Sequence, residues 1–208
     1  MNPEKVGNLS NITVSELAGR SNVISRLKEL NILDKFNDDD IKNVTSFIKK
    51  KENNGFSYEV ASASLELLLK KEKKLTKSPF NLIEYDVRLK SINLDKENQC
   101  TASIKLSINE IEIEKTAVGN GPVAALDKAL REALLKFYPS LNKVKLTDYK
   151  VRVVNESEAT ESIVRVSIES ADDKEVWTTV GASSNIIEAS WMALSDSMEW
   201  WLIKNIID

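Results

Sequence analysis

The sequence predicts an α+β protein: a small helical N-terminal subdomain followed by a pseudo-symmetric tandem of two βββα units. Two observations carry this expectation. Apolar residues recur at helical spacing before Pro79 and at every second position after Phe80. The pattern that opens at "EYDVR" (84–88) then returns at "DYKVR" (148–152), 64 residues later. The expected divisions are residues 1–78 for the helical subdomain and 79–208 for the tandem, with repeats at 79–140 and 145–208.

In chain order, "NDDDIKNVTSFIKKKEN" opens with residues suited to cap a helix and oppose its dipole, then sets Ile41, Val44 and Ile48 on one face. After a turn at Asn53, Asn54 and Gly55, Val60, Ala61, Ser64, Leu65, Leu68 and Leu69 predict a second helix. Its lysine-rich end reads as a solvated linker running into Pro79. Beyond it, Ile83, Tyr85, Val87 and Leu89, then Ile104, Leu106 and Ile108, then Ile111 and Ile113 alternate with polar residues, which predicts three half-buried antiparallel strands. A helix from Pro122 to about Phe137 follows, with Pro122 tolerated in its first turn. In the second copy, "VSI" (166–168) matches "LSI" (106–108), "TTVG" (178–181) matches "TAVG" (116–119), and Ala189, Ala193 and Leu194 match Ala125, Ala129 and Leu130. Trp191, Leu194, Met198 and Trp201 share a face of the last helix and are expected in a core or interface, and Trp177 is expected to be buried.

Composition narrows the chemistry. With 29 basic and 32 acidic residues there is no electrostatic case for nucleic acid. The absence of histidine and the single cysteine argue against a zinc site and remove the base from a Cys/His or Ser/His pair. No apolar run reaches the roughly 18 residues that span a bilayer, and the N-terminus lacks a secretory pattern, so a cytoplasmic protein without membrane contact is expected. Cys100, near an expected loop, reads as a passive thiol.

The stretch "KTAVGNGPVAALDKALREAL" (115–134) superficially resembles a phosphate-binding turn. A dinucleotide fold needs a parallel βαβ unit with an acidic residue further on, and a phosphate loop needs Lys and Ser or Thr after its last glycine; Gly121 is followed by Pro122. Two readings stay open. Gly119 and Gly121 serve only a tight strand-to-helix turn with positive φ, or the backbone amides at the helix start hold a small anion such as a carboxylate.

The segments "AVGNGPVAALDKALREAL", "LTDYKVRVVNESEATESIVRVSIES" and "VWTTVGASSNIIEASWMALSDSMEWWL" resemble the C-terminal regulatory domain of the 2-isopropylmalate synthase family, on its citramalate synthase branch. "PEKVGN" (3–8), "SELAGRSN" (15–22) and "GFSYEVASASLELLL" (55–69) resemble the segments that join the catalytic barrel to that domain. The resemblance implies a dimer that binds the pathway's end-product amino acid, isoleucine on this branch and leucine on the other. It implies no catalytic residue, metal or cofactor in this chain, since acetyl-CoA and a divalent metal belong to a (β/α)₈ barrel of about 250 residues. Carried over by motif, the effector residues are Gly119, Asn120, Gly121 and Pro122 with the facing turn Ala182, Ser183, Ser184 and Asn185, completed by Asp148, Tyr149 and Ile186. Many isopropylmalate synthases carry a histidine within the stretch aligned to "SELAGRSN"; here that stretch has Glu16 and Arg20, which favours the citramalate branch, and by themselves the two read as a surface pair. A stand-alone paralogue that dimerises with a full-length synthase is the alternative.

Overall fold

The computed structural model describes residues 19–90, 99–154 and 162–207. Three helices come first: α1 (Arg20–Glu29), α2 (Asp38–Asn53) and α3 (Ser62–Glu72). The asparagine and aspartates ahead of α2 act as expected. Asn37 Oδ1 accepts from Asp40 N and Asp40 Oδ2 from Asn37 N, both at 2.9 Å, a reciprocal cap. Lys73 also binds Asp40 at 2.8 Å, and these donors hold its carboxyl below the usual range. Glu16 lies outside the described residues, while Arg20 pairs with Asp38 at 2.5 Å.

The remainder is two antiparallel three-stranded meanders, each followed by a helix. The first is β1 (Asn81–Lys90), β2 (Gln99–Ile108), β3 (Ile111–Gly119) and α4 (Pro122–Leu135); the second is β4 (Lys145–Val153), β5 (Val164–Ala171), β6 (Val176–Ser183) and α5 (Ile186–Leu202), closed by a π-turn at Ile203–Ile207. The repeat is accurate to the residue. Tyr85 pairs with Ile104 as Tyr149 pairs with Ile168, and both first strands carry a bulge at the same place, between Leu82 and Glu84 and between Leu146 and Asp148.

That register corrects two of the sequence matches. Val166 stands where Ala102 does and Gly181 where Ala117 does, since Ala102 pairs with Ala117 and Val166 with Gly181. "LSI" with "VSI" was therefore slipped by four residues and "TAVG" with "TTVG" by two. Even-numbered slips leave every side chain on its proper face, so alternation alone cannot detect them.

Each helix covers its own sheet, α4 on β2 and β3 and α5 on β5 and β6. Ala125, Ala129 and Leu130 and their counterparts Ala189, Ala193 and Leu194 are fully buried, and one core joins both units. Tyr85 stacks on Trp191 of the sister helix at 5.7 Å between ring centres. Trp177, Trp191, Met198 and Trp201 are buried as expected. Cys100 is a β2 residue in this core rather than a loop residue, and burial pushes its thiol pKa up.

Two expectations about burial fail. The β1 strand is not half buried: Tyr85 and Val87 are partly covered and its other residues are exposed, because α4 reaches past β2 only slightly. Val60 precedes α3 and is 62% exposed, whereas Leu67, outside the expected stripe, is buried. The reason is that α3 is sandwiched. Ala61, just before the helix, with Leu65 and Leu69 joins the core of the helical segment, while Ala63 and Leu67 join that of the sheets.

Candidate functional site

The two strand-to-helix turns are equivalent in position and opposite in chemistry. By register Gly119 corresponds to Ser183, and the residues preceding the helices are Gly121 and Asn185. Asn185 Oδ1 accepts from Ile187 N at 2.9 Å, Ser183 Oγ accepts from Asn185 N at 3.0 Å, and Ser183 Oγ donates to Glu188 at 2.5 Å. The start of α5 thus satisfies its own amides and places an acid in its first turn. At α4, Gly121 offers no side chain, Pro122 no N–H, and the first turn contains no acid. The α4 dipole is left open to an anion.

The glycines do not supply positive φ, which corrects the conformational reading. Gly121 has φ −161° and ψ 170°, extended values open to any residue, and Gly55 is the positive-φ glycine among the described residues, at 93°. Gly119 is needed for closeness instead. A Cβ there would stand 2.5 Å from Ala125 N, whereas one at Gly121 meets nothing within 4 Å. Gly181 is tighter still, with Ala189 O at 2.0 Å from the same construction. In the second unit the close approach of helix to strand therefore falls at the position that Ala117 holds in the first.

Asp148 and Tyr149 are adjacent on β4 and so face opposite sides of the sheet. Tyr149 points inward, its hydroxyl 2.9 Å from Ser190 Oγ. Asp148 lines a polar concavity of about 400 Å³ on the outer face with Lys150, Arg152 and Arg165, roofed by Ser57 and Glu59. There Lys150 hydrogen-bonds Asp148 and holds its carboxyl below the usual range. A smaller concavity of about 340 Å³, lined by Glu84, Asp86, Arg88 and Glu114, occupies the outer face of the first sheet. Among the eleven expected residues, Asp148 lines one of these concavities and the turn residues line neither. Ile186 is 42% exposed at the start of α5. Ala182 packs beside Gly55, and Arg165 of β5 donates to the carbonyls of Gly55 and, at 3.2 Å, Phe56, so the connection between α2 and α3 is tied to the end of β6 that carries the second turn.

Sequence reasoning missed the inner faces of the two edge strands. Beside the partly buried Tyr85 and Val87, Leu89 is 61% exposed, and the equivalent Val151 and Val153 next to Tyr149 are 41% and 53% exposed. These are apolar strips on strands with an unpaired edge, each beside a helix that stops short of it. The signal was present in the alternation; what alternation does not carry is how far a helix reaches across a sheet.

The described residues thus form a tandem of βββα units with one open and one closed helix start and with matching uncovered apolar strips. The chain belongs to the LeuA allosteric (dimerisation) domain family, whose model matches residues 59–202. It is 46% identical over 205 residues to an (R)-citramalate synthase of Aquifex aeolicus (strain VF5), covering 99% of this chain and 39% of that protein. To the (R)-citramalate synthase of Geobacter sulfurreducens it is 44% identical over 206 residues, with the same coverages of 99% and 39%. A 2-isopropylmalate synthase of Aquifex aeolicus is 30% identical over 208 residues, covering 98% of this chain and 36% of that protein. The chain thus spans about two-fifths of the length of these curated relatives. What the described residues form is the regulatory region, not an eight-stranded parallel barrel. None of their helices is long and apolar enough to cross a membrane.

Proposed function

We propose that this chain is the regulatory part of a cytoplasmic citramalate synthase-type acyltransferase, in which it forms a homodimer and binds L-isoleucine to inhibit a catalytic barrel that condenses acetyl-CoA with pyruvate. The observation that carries the effector reading is the contrast between the two helix starts. The α5 start is closed by Ser183, Asn185 and Glu188, while the α4 start has no side-chain cap and suits the α-carboxylate of an amino acid. The strips at Leu89 and at Val151 and Val153 suit a second copy of the chain, since covering apolar surface contributes about 25 cal/mol per Å². In this reading residues 1–78 form the segment that passes the signal on, through the connection that Arg165 holds beside Ala182. Inhibition requires isoleucine to bind one arrangement of the dimer better than another.

The test is calorimetric titration of the chain with L-isoleucine, L-leucine and L-valine, before and after Gly121→Asp. The space at Gly121 is open and aspartate is a good residue ahead of a helix, so the variant stays folded while its carboxylate takes the effector's place. Saturable isoleucine binding that the variant loses is the expected result. A preference for leucine would move the chain to the isopropylmalate branch, a discrimination of about 1–3 kcal/mol for one methyl position. No binding by a folded dimer would reject the effector reading.

A further inference from the structure

A second cavity, of about 460 Å³, lies away from the turns, between α2, the α2–α3 connection, α3 and α5. Its walls are largely apolar. Phe56 and Tyr58 stack at 6.0 Å on one side, and Leu67, Leu68 and Met192 line the others. Two opposite charges stand on facing elements. On α2, the Lys51 ammonium lies 4.7 Å from the Phe56 ring centre and 5.7 Å from that of Phe47. On α5, Asp196 Oδ2 accepts from Ser64 Oγ at 2.7 Å, and Ser64 Oγ in turn accepts from Val180 N at 3.0 Å, which fixes the carboxyl in place. Lys71, the other cation of the lining, is bound to Glu199 at 2.7 Å. Among the described residues Asp196 has no bound cation and Lys51 no bound carboxylate.

We propose that this cavity is a binding site for a small zwitterion with an apolar body, the chemistry of an apolar α-amino acid, its ammonium on Asp196 and its carboxylate on Lys51. The lining combines lysines and acids in balance, so a ligand with one charge leaves one of the two groups unanswered at the wall of a largely apolar, open concavity. Burial, with Glu199 nearby, pushes the Asp196 carboxyl up to about 6 against the pull of Lys71, Ser64 and Lys51, so a cation brought to it is favoured. The site is separate from the α4 turn and stands whether or not the effector reading does.

The probe is L-phenylalanine, titrated into the 208-residue chain alongside 2-phenylethylamine, which lacks the carboxylate, and 3-phenylpropanoate, which lacks the ammonium. The amino acid should bind at least about tenfold more tightly than either single-charge analogue. Asp196→Asn and Lys51→Gln should each weaken it by about tenfold. Lys51 belongs to no ion pair among the described residues, so the Lys51→Gln variant decides the question if Asp196→Asn fails to fold. Equal affinity for the three compounds, no saturable binding at millimolar concentration, or binding insensitive to Lys51→Gln overturns the proposal.

Discussion

Alanine placed at each of three glycines separates closeness from conformational freedom. At Gly181 the new Cβ would lie 2.0 Å from Ala189 O, 2.8 Å from Met192 Cβ and 2.9 Å from Ala189 C. A carbon and an oxygen normally touch at more than 3 Å, so α5 must move off β6 by about 1 Å along a backbone-to-backbone contact, with the buried Ala189, Ala193 and Leu194 moving with it. Ordinary overpacking costs about 1–3 kcal/mol, and because no side chain can rotate away here, the upper end, about 3 kcal/mol, is expected. Gly119→Ala meets Ala125 N at 2.5 Å and should cost about 2 kcal/mol. Gly121→Ala meets nothing within 4 Å, and its small loss as a helix cap opposes the entropy it removes from the unfolded chain, leaving a change of less than about 1 kcal/mol. Urea unfolding of the three variants reads these differences directly, with an unchanged denaturant slope as the control. If Gly121→Ala were as damaging as Gly181→Ala, the glycines would be serving backbone dihedrals and the packing argument would fail.

Other expectations follow from the same geometry. Leu89→Glu combined with Val153→Lys should convert a two-chain mass in light scattering to that of one chain without loss of helical signal; an unchanged mass would place the interface elsewhere. Cys100, fully buried in β2 with its thiol pKa raised, should react with a thiol reagent only as fast as the protein unfolds. Rapid labelling of the folded chain would contradict its position in the core. Asp196 binds its proton more tightly folded, near pH 6, than its ordinary value of 3.8, so the fold should lose stability as pH rises from about 4 to about 6 and hold that loss above it. Asp196→Asn should remove this component, seen as a smaller stability difference between pH 4.5 and 7 in the variant; the lowered carboxyls such as Asp40 act in the opposite sense but equally in both proteins.

The repeat was legible because Tyr85 and Tyr149 sit in nearly identical surroundings, and because Ala125, Ala129 and Leu130 recur at the same interval as their counterparts. The matches that went astray, "TAVG" and "LSI", were short strand segments whose period of two makes shifts of two or four invisible; only the hydrogen-bond ladder distinguishes them. Asp148 and Tyr149 were grouped because motifs are read along the chain, but neighbours on a strand serve different faces. Gly119 and Gly121 were grouped for the same reason, and only one of them is crowded by its helix. Leu67 was missed for a further reason: a stripe argument assumes one buried face per helix, and α3 has two.

That doubly buried helix breaks the symmetry of the tandem. On one side α3 meets β6 and α5, where Ser64 reaches Val180 and Asp196, Lys71 reaches Glu199, and Trp200 Nε1 donates to Glu66 at 2.9 Å. On the other it holds α1 and α2 through the second core. Among the described residues the first βββα unit has no such clasp. Amide exchange should therefore divide the molecule unequally, with α3, β6 and α5 opening together as one cooperative body and β1 to β3 with α4 opening at lower cost. A chain lacking the residues before Pro79 would lose a wall of that body, laying bare Val180 and the α5 surface around Glu199, so the point where the sequence changes rhythm is a seam in the pattern and not a seam in the fold's cooperativity.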